Sequence, residues 1–277
     1  MVRVTAIGCK AHAALRAAAS PARVLSALSE SIYLTAGDEI VWLGRVGALL
    51  HPRAILTASP LPGPDEPLRF DLDGTRPWKP SRLNLGGPGV HALAGGCRAL
   101  LGAIESVGAP DGLGTLLVGR IPPFPLDRAP ERAAALARAC GADDARAAAE
   151  AARALLGLGP GLTPSGDDYV GGALFARAVL GGAGACDGAG WRRAAAAVLG
   201  RAREATHPIS AALLGDLADG EGHAPLHELT TALASEAPLE AAVEAARRLT
   251  RIGHSSGWDM LAGFTAGILG EVAVQYG

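Results

Sequence analysis

"GLGPGLTPSGDDYVGG" (157–172) joins a glycine- and proline-rich turn to the start of an apolar, small-residue helix. Pro164 suits the first helical position, where a missing N–H costs nothing. Thr163 or Ser165 can cap the helix, and Asp168, three residues after Ser165, completes a Ser-x-x-Asp capping pattern. Capping explains Ser165 and one aspartate. It leaves the preceding Gly-Leu-Gly-Pro-Gly and the second carboxylate of the first turn without a role. A helix start also offers free N–H groups and a positive dipole end to phosphate or carboxylate. Glycines such as Gly159, Gly161 and Gly166 let a backbone approach such a ligand closely. Asp167 and Asp168 could then hold Mg²⁺ or accept hydrogen bonds from an amide. The stretch is not a P-loop. That pattern needs Gly-Lys before its Ser or Thr, whereas Thr163 follows Leu162 and the only lysines are Lys10 and Lys79.

Further along lies "GHSSGWDMLAG" (253–263), where Ser256-Gly257-x-Asp259-x-x-x-Gly263 repeats Ser165-Gly166-x-Asp168-x-x-x-Gly172. Small residues at Gly172 and Gly263 allow the two helices to pack closely. The two N-termini are therefore expected to converge on one polar pocket supplied by Ser165, Asp167, Asp168, His254, Ser255, Ser256 and Asp259. A pair of purely structural caps is the competing reading. In "ATHPIS" (205–210), Thr206 and Ser210 flank His207-Pro208, and an ordinary helix-to-helix turn explains them equally well. "GGPGVH" (86–91) reads as a strand-to-helix turn that could bind an anion. His223 and His227 have i,i+4 spacing, but Pro225 lies between them and no acidic third ligand is evident, so they make a poor zinc site.

The surrounding chain has 277 residues, of which 49% are hydrophobic, enough to bury a sizeable core without staples. A formal net charge of −2 argues against nucleic acid as a partner. The four cysteines stand apart with no C-x-x-C, which fits reduced thiols in a cytoplasmic protein. The first residues lack the long apolar core of a signal peptide. "MLAGFTAGILGEVAV" (260–274) is shorter than the ~20 residues that span a bilayer, contains Glu271, and reads as a buried helix, so no membrane association is expected.

Short β-branched or aromatic runs at 2–8, 31–36, 39–45, 54–58, 68–74 and 114–125 read as strands, with a tight turn at 36–38 and a proline loop at 59–67. The stretch 83–108 opens with a glycine-rich turn and becomes helical. From Asp127 onward, spacing near 3.6 places helices at 129–141, 143–156, 164–181, 190–206, 208–219, 225–235, 238–251 and 256–273. Strands followed by helices predict an α+β fold, with a β-rich N-terminal half (a small barrel or sheet, 1–126) and an all-helical C-terminal half carrying the motifs (127–277).

Three blocks in this order, "GLGPGLTPSGDD", "THPISAALLGDLADGEGH" and "IGHSSGWDMLAG", resemble the AllH-type family. That family includes the small subunit of bacterial oxamate carbamoyltransferase, a three-subunit enzyme of allantoin catabolism. The resemblance covers roughly residues 155–265 and implies carbamoyl transfer between oxalurate and phosphate, giving oxamate and carbamoyl phosphate. It also implies two other carbamoyltransferase subunits as partners. The roles follow from residue chemistry. N–H groups around Gly159, Gly161, Thr163, Ser165 and Gly166 hold phosphate, carbamoyl phosphate or a carboxylate. Asp167 and Asp168 bind the carbamoyl NH₂ or a metal. His254 serves as general acid or base. Ser256 and Thr206 donate to a developing oxyanion, and Ser210, Ser255, Gly257 and Asp259 complete the pocket. Two other readings stay open: a non-catalytic subunit completing a partner's active site, and a stand-alone carbamoyl or acyl transferase acting on another small acid.

Overall fold

The computed structural model describes residues 1–63, 67–81, 85–235 and 237–272. The described chain is α+β, strands first and helices after, and forms two compact units. One unit comprises Met1–Ser81 with Gly222–Ala224; the other comprises Arg82–Glu221 and Pro225–Gly277.

The first unit is built on a seven-stranded sheet, and an isolated antiparallel bridge between Ala22 and Leu68 links the two ends of its strand order. Its strands are β1 (Val2–Gly8), β2 (Arg23–Ala27), β3 (Ser31–Ala36), β4 (Glu39–Arg45), β5 (Ala54–Thr57), β6 (Phe70–Asp71) and β7 (Pro77–Trp78). They run in the order β2-β3-β4-β5-β1-β6, with β7 also paired to β1. β3 and β4 form the expected hairpin, in antiparallel register from Ser31 opposite Gly44 to Ala36 opposite Glu39. β4 and β5 are parallel, and β5 is antiparallel to β1. Helix α1 (Cys9–Ala17) follows β1 directly. Ile7, Leu34, Leu43 and Ile55 are fully buried and form the core of this unit. The alternation of buried and half-buried side chains along β3 and β4 is the pleat presenting every second side chain to that core. The expected strand at 68–74 shrinks to the two residues of β6. α1 and β2 were not expected at all.

The second unit contains α2 (Gly87–Gly102), α3 (Ala129–Gly141), α4 (Ala145–Arg153), α5 (Ser165–Gly182), α6 (Gly188–Ala205), α7 (Pro208–Ala218), α8 (Ala224–Leu233, from its second residue on), α9 (Leu239–Leu249) and α10 (Ser256–Leu269). Every helix expected after Asp127 is present, with shifted ends. The expected end of the last one, at 273, lies outside the described residues, as do parts of the 59–67 loop and of the 83–86 turn. The strand expected at 114–125 is absent. Gly112–Val118 is a 3-10 segment instead, and six of its seven residues are buried among helices. A short apolar run suits either state, and burial within a helical core decides for the helix.

α5 and α10 are the centre of this unit. Almost every residue of α5 from Ser165 to Leu180 is buried, and so is α10 from Gly257 to Gly267. A helix buried on all sides needs partners on all sides. Tyr169, Phe175 and Phe264, all fully buried, fill the space around the crossing. No helix among the described residues is long and apolar enough to cross a membrane.

Candidate functional site

The two Ser-Gly-x-Asp stretches form the first turns of α5 and α10, and the helices cross at glycines. A Cβ on Gly172 would overlap the carbonyl oxygen of Met260, and one on Gly263 would overlap that of Tyr169. Neither helix starts as the capping pattern predicts. Pro164, not Ser165, takes the cap position of α5, with φ −55 and ψ 142, and no side chain caps it. Ser255 takes the same place before α10, again without a side-chain cap. The hydroxyls thus freed meet across the crossing. Thr163 Oγ1 lies 3.0 Å from Ser256 Oγ, and Ser165 Oγ lies 3.3 Å from Ser255 Oγ.

The three aspartates beneath this hydroxyl cluster are bound very differently. Asp167 is saturated. Its Oδ1 accepts from the Gly157 N–H at 2.7 Å, and its Oδ2 accepts from the hydroxyls of Ser210, at 2.7 Å, and Thr206. It therefore ties the loop before α5 to the turn between α6 and α7. Asp259 is satisfied too, by the Leu113 N–H at 2.6 Å and the Ser255 hydroxyl at 2.8 Å. Burial pushes its carboxyl up to about 7, against the pull of these donors and with a further push from Asp111. Asp168 is buried, and its Oδ2 has no hydrogen-bond partner. Burial, then the nearby charges of Asp259 and Asp167, hold its carboxyl well above the usual carboxylate range. The adjoining hydroxyls of Ser256 and Thr163 favour the charged form but do not outweigh these effects.

The other candidate residues spread outward from this centre. Gly159, at φ +115, packs against the start of Ser165, and Gly161 is exposed on the loop above. Gly166 and Gly257 are buried close-approach positions: a Cβ would overlap the carbonyl oxygens of Leu155 and Leu249 respectively. Thr206 and Ser210 touch the cluster through Asp167 alone. His254 projects into solvent with its side chain 97% exposed, its Nε2 3.2 Å from Asp111 Oδ2. His207 caps α7, its Nδ1 accepting from the Ile209 N–H at 3.2 Å. His227 is buried edge-on against Phe175 in the helical unit, and burial pushes it down to about 4. His223 belongs to the strand unit, where it stacks on His51 at 4.7 Å.

The described residues do not compose a Mg²⁺ cage. Both oxygens of Asp167 are engaged by protein donors, and among the described residues no three His, Cys, Asp or Glu side chains cluster as a metal would need.

Asp111, Gly112 and Leu113 also belong to this site, although the sequence reading passed over them. Gly112, at φ +55, lies so close to Asp259 that a Cβ there would overlap Asp259 Oδ1. The signal was available in "DGLG" (111–114), a turn sequence before an apolar run. A longer internal repeat was missed as well. "EAARALLGLG" (150–159) before α5 matches "EAARRLTRIG" (244–253) before α10. The match extends to structure. Glu150 pairs with Arg153 as Glu244 does with Arg247. The Gly166 N–H donates to Leu158 O at 2.8 Å as the Gly257 N–H donates to Ile252 O at 3.0 Å. The helical unit thus contains two copies of a helix–loop–helix, related by a pseudo-two-fold at the Gly172–Gly263 crossing.

The fold and these contacts define a class: an α+β protein whose helical unit joins two copies of a small-residue helix start around a buried, incompletely bonded carboxyl. Residues 155–268 match the model of the family described as oxamate carbamoyltransferase subunit AllH, which shows the family resemblance read from the three sequence blocks. Neither the curated proteins nor the solved structures give a significant match.

Proposed function

We propose that the chain is a carbamoyltransferase subunit acting between oxalurate and phosphate, with its ligand at the paired starts of α5 and α10. One observation carries this reading. Inside the segment that matches the carbamoyltransferase subunit family, a carboxyl oxygen of Asp168 is buried and unpartnered where two helix N-termini and four hydroxyls meet. Such a place suits a ligand that is anionic at one end and an amide at the other. In the reaction, a phosphate oxygen attacks the carbamoyl carbon of oxalurate. The C–O bond forms, the C–N bond breaks, and the departing nitrogen takes up a proton to give oxamate beside carbamoyl phosphate. The N–H groups of Gly166, Asp167 and Gly257 are spent on protein carbonyls, so the hydroxyls of Thr163 and Ser256 stabilise the oxyanion that develops on the carbon. His254, steadied by Asp111, carries the proton at the mouth of the site.

The test is phosphate-dependent formation of oxamate from oxalurate. The chain is assayed alone and with the chains encoded beside it. We expect Asp168→Ala to lower kcat about 100-fold or more; unchanged turnover in that variant overturns the reading. A second reading is that the chain completes an active site held mainly by a partner. The 97% exposure of the His254 side chain favours it, since a proton carrier in bulk water lacks the enclosure that catalysis needs. Turnover only in the presence of partner chains would select it.

A further inference from the structure

The internal repeat makes Asp168 and Asp259 counterparts, each three residues after the serine that begins its helix. Their surroundings differ in the donors they supply: Ser255, at the cap position of α10, gives Asp259 its hydroxyl, where α5 has Pro164. Asp259 receives a peptide N–H, that of Leu113, pressed in edge-on by the close approach of Gly112. Asp168 receives none, and its Oδ2 stays buried without a partner. A buried carboxyl oxygen left unpaired costs stability, and such vacancies in native proteins call for an explanation. The protein itself shows what fits a carboxyl at this kind of helix start: the N–H edge of a planar amide. We propose that Asp168 reads the amide edge of a small carboxamide or carbamoyl ligand, in the place that the Leu113 peptide takes against Asp259.

The chemistry of the pair supports this choice. An amide offers one donor and one acceptor side by side, and a neutral carboxyl offers the complementary acceptor and donor. Two hydrogen bonds then form without any charge being buried. A carboxylate or phosphate oxygen offers acceptors only, and an ammonium group offers donors only. With Asp259 and Asp167 both close by, an uncharged carboxyl is the form of Asp168 that this site tolerates. The anionic end of the ligand falls to the hydroxyls of Thr163 and Ser256.

The inference rests on the paired helix starts being the ligand site, but not on the reaction assigned to it. Matched ligands test it by calorimetry on the full chain: oxamate against oxalate, and carbamoyl phosphate against acetyl phosphate. The wild type should favour the amide member of each pair by at least about tenfold. Asp168→Leu should abolish the preference. Asp168→Asn, which again offers one donor and one acceptor, should retain it and also serves as the control for folding. Equal binding of both members, failure to bind either amide, or a preference that survives Asp168→Leu overturns the inference. Amide-selective binding without phosphate-dependent carbamoyl exchange would sink the reaction proposed above and leave this inference standing.

Discussion

The starts of α5 and α10 share a sequence, a backbone turn and a pair of glycine contacts, yet their aspartates live differently. At α10 the carboxyl of Asp259 is closed by the Leu113 N–H and the Ser255 hydroxyl. At α5 the corresponding carboxyl, Asp168, has an oxygen with nothing to bond. The difference comes from a third element, the 3-10 segment Gly112–Val118, whose Leu113 N–H reaches Asp259 and not Asp168, and from Ser255, whose counterpart before α5 is Pro164. A repeated motif therefore does not carry a repeated role. One copy has become scaffold because the protein supplies its partner, and the other is left for something from outside.

The largest effect expected from disturbing this comparison lies at the crossing itself. Gly263→Ala and Gly172→Ala each drive a methyl into a backbone carbonyl that has no room to yield. Each should cost about 3 kcal/mol or more in chemical denaturation. Similar losses at both positions would support the pseudo-two-fold, and a loss at one alone would break it.

Asp167→Ala comes next. It strips the acceptor from the Gly157 N–H and from two hydroxyls, and should cost about 3 kcal/mol. Asp168→Asn should leave the melting temperature unchanged or raise it. That contrast between adjacent carboxylates separates the residue that holds the loop from the residue that waits for a ligand.

pH sharpens the comparison further. Native Asp259 keeps its proton up to about 7, whereas the unfolded chain releases it near the ordinary 3.8. Between those values the unfolded state binds fewer protons, so stability falls as pH rises through that window and levels off above it. Asp168, shifted in the same direction, adds to the decline. Each proton retained contributes a slope of about 1.4 kcal/mol per pH unit. Asp259→Asn should flatten the profile measured by denaturation from pH 4 to pH 8; an unchanged slope would show that Asp259 is already ionised in the folded protein. The smallest effects belong to the matched surface pairs. Glu150→Gln and Glu244→Gln each lose one exposed i,i+3 partner and should change stability by less than about 0.5 kcal/mol.

Much of the fold is legible because its signals are local. β1 alternates apolar and polar residues, β3 and β4 are short β-branched and aromatic runs, and a Gly-Asp turn joins the last two, so their ends are read almost to the residue. The helices after Asp127 show their spacing just as plainly. α1 and β2 were harder, since "CKAHAALRA" is polar and short and "RVLSA" alternates too briefly to stand out. The run 112–118 misled because a short apolar stretch carries no period long enough to separate strand from helix. Within the site, the hydroxyls and aspartates announce themselves through the repeated Ser-Gly-x-Asp. Which of them is spent inside the protein does not show in that pattern, because Asp167 is bonded by residues 10, 39 and 43 positions away.

Residue pattern along the chain is enough to read strands first and helices after Asp127, the small residues that let α5 and α10 touch, and the resemblance of residues 155–265 to a carbamoyltransferase subunit. All of these depend on periodicity and residue type, which are written along the chain. Only the tertiary structure decided that Asp167 is a brace, that Asp259 is closed by a peptide 146 residues away, and that Asp168 is left open. A hydrogen bond needs its partner within about 3 Å in space, and the folding of distant segments onto one another is what puts a partner there or leaves it out.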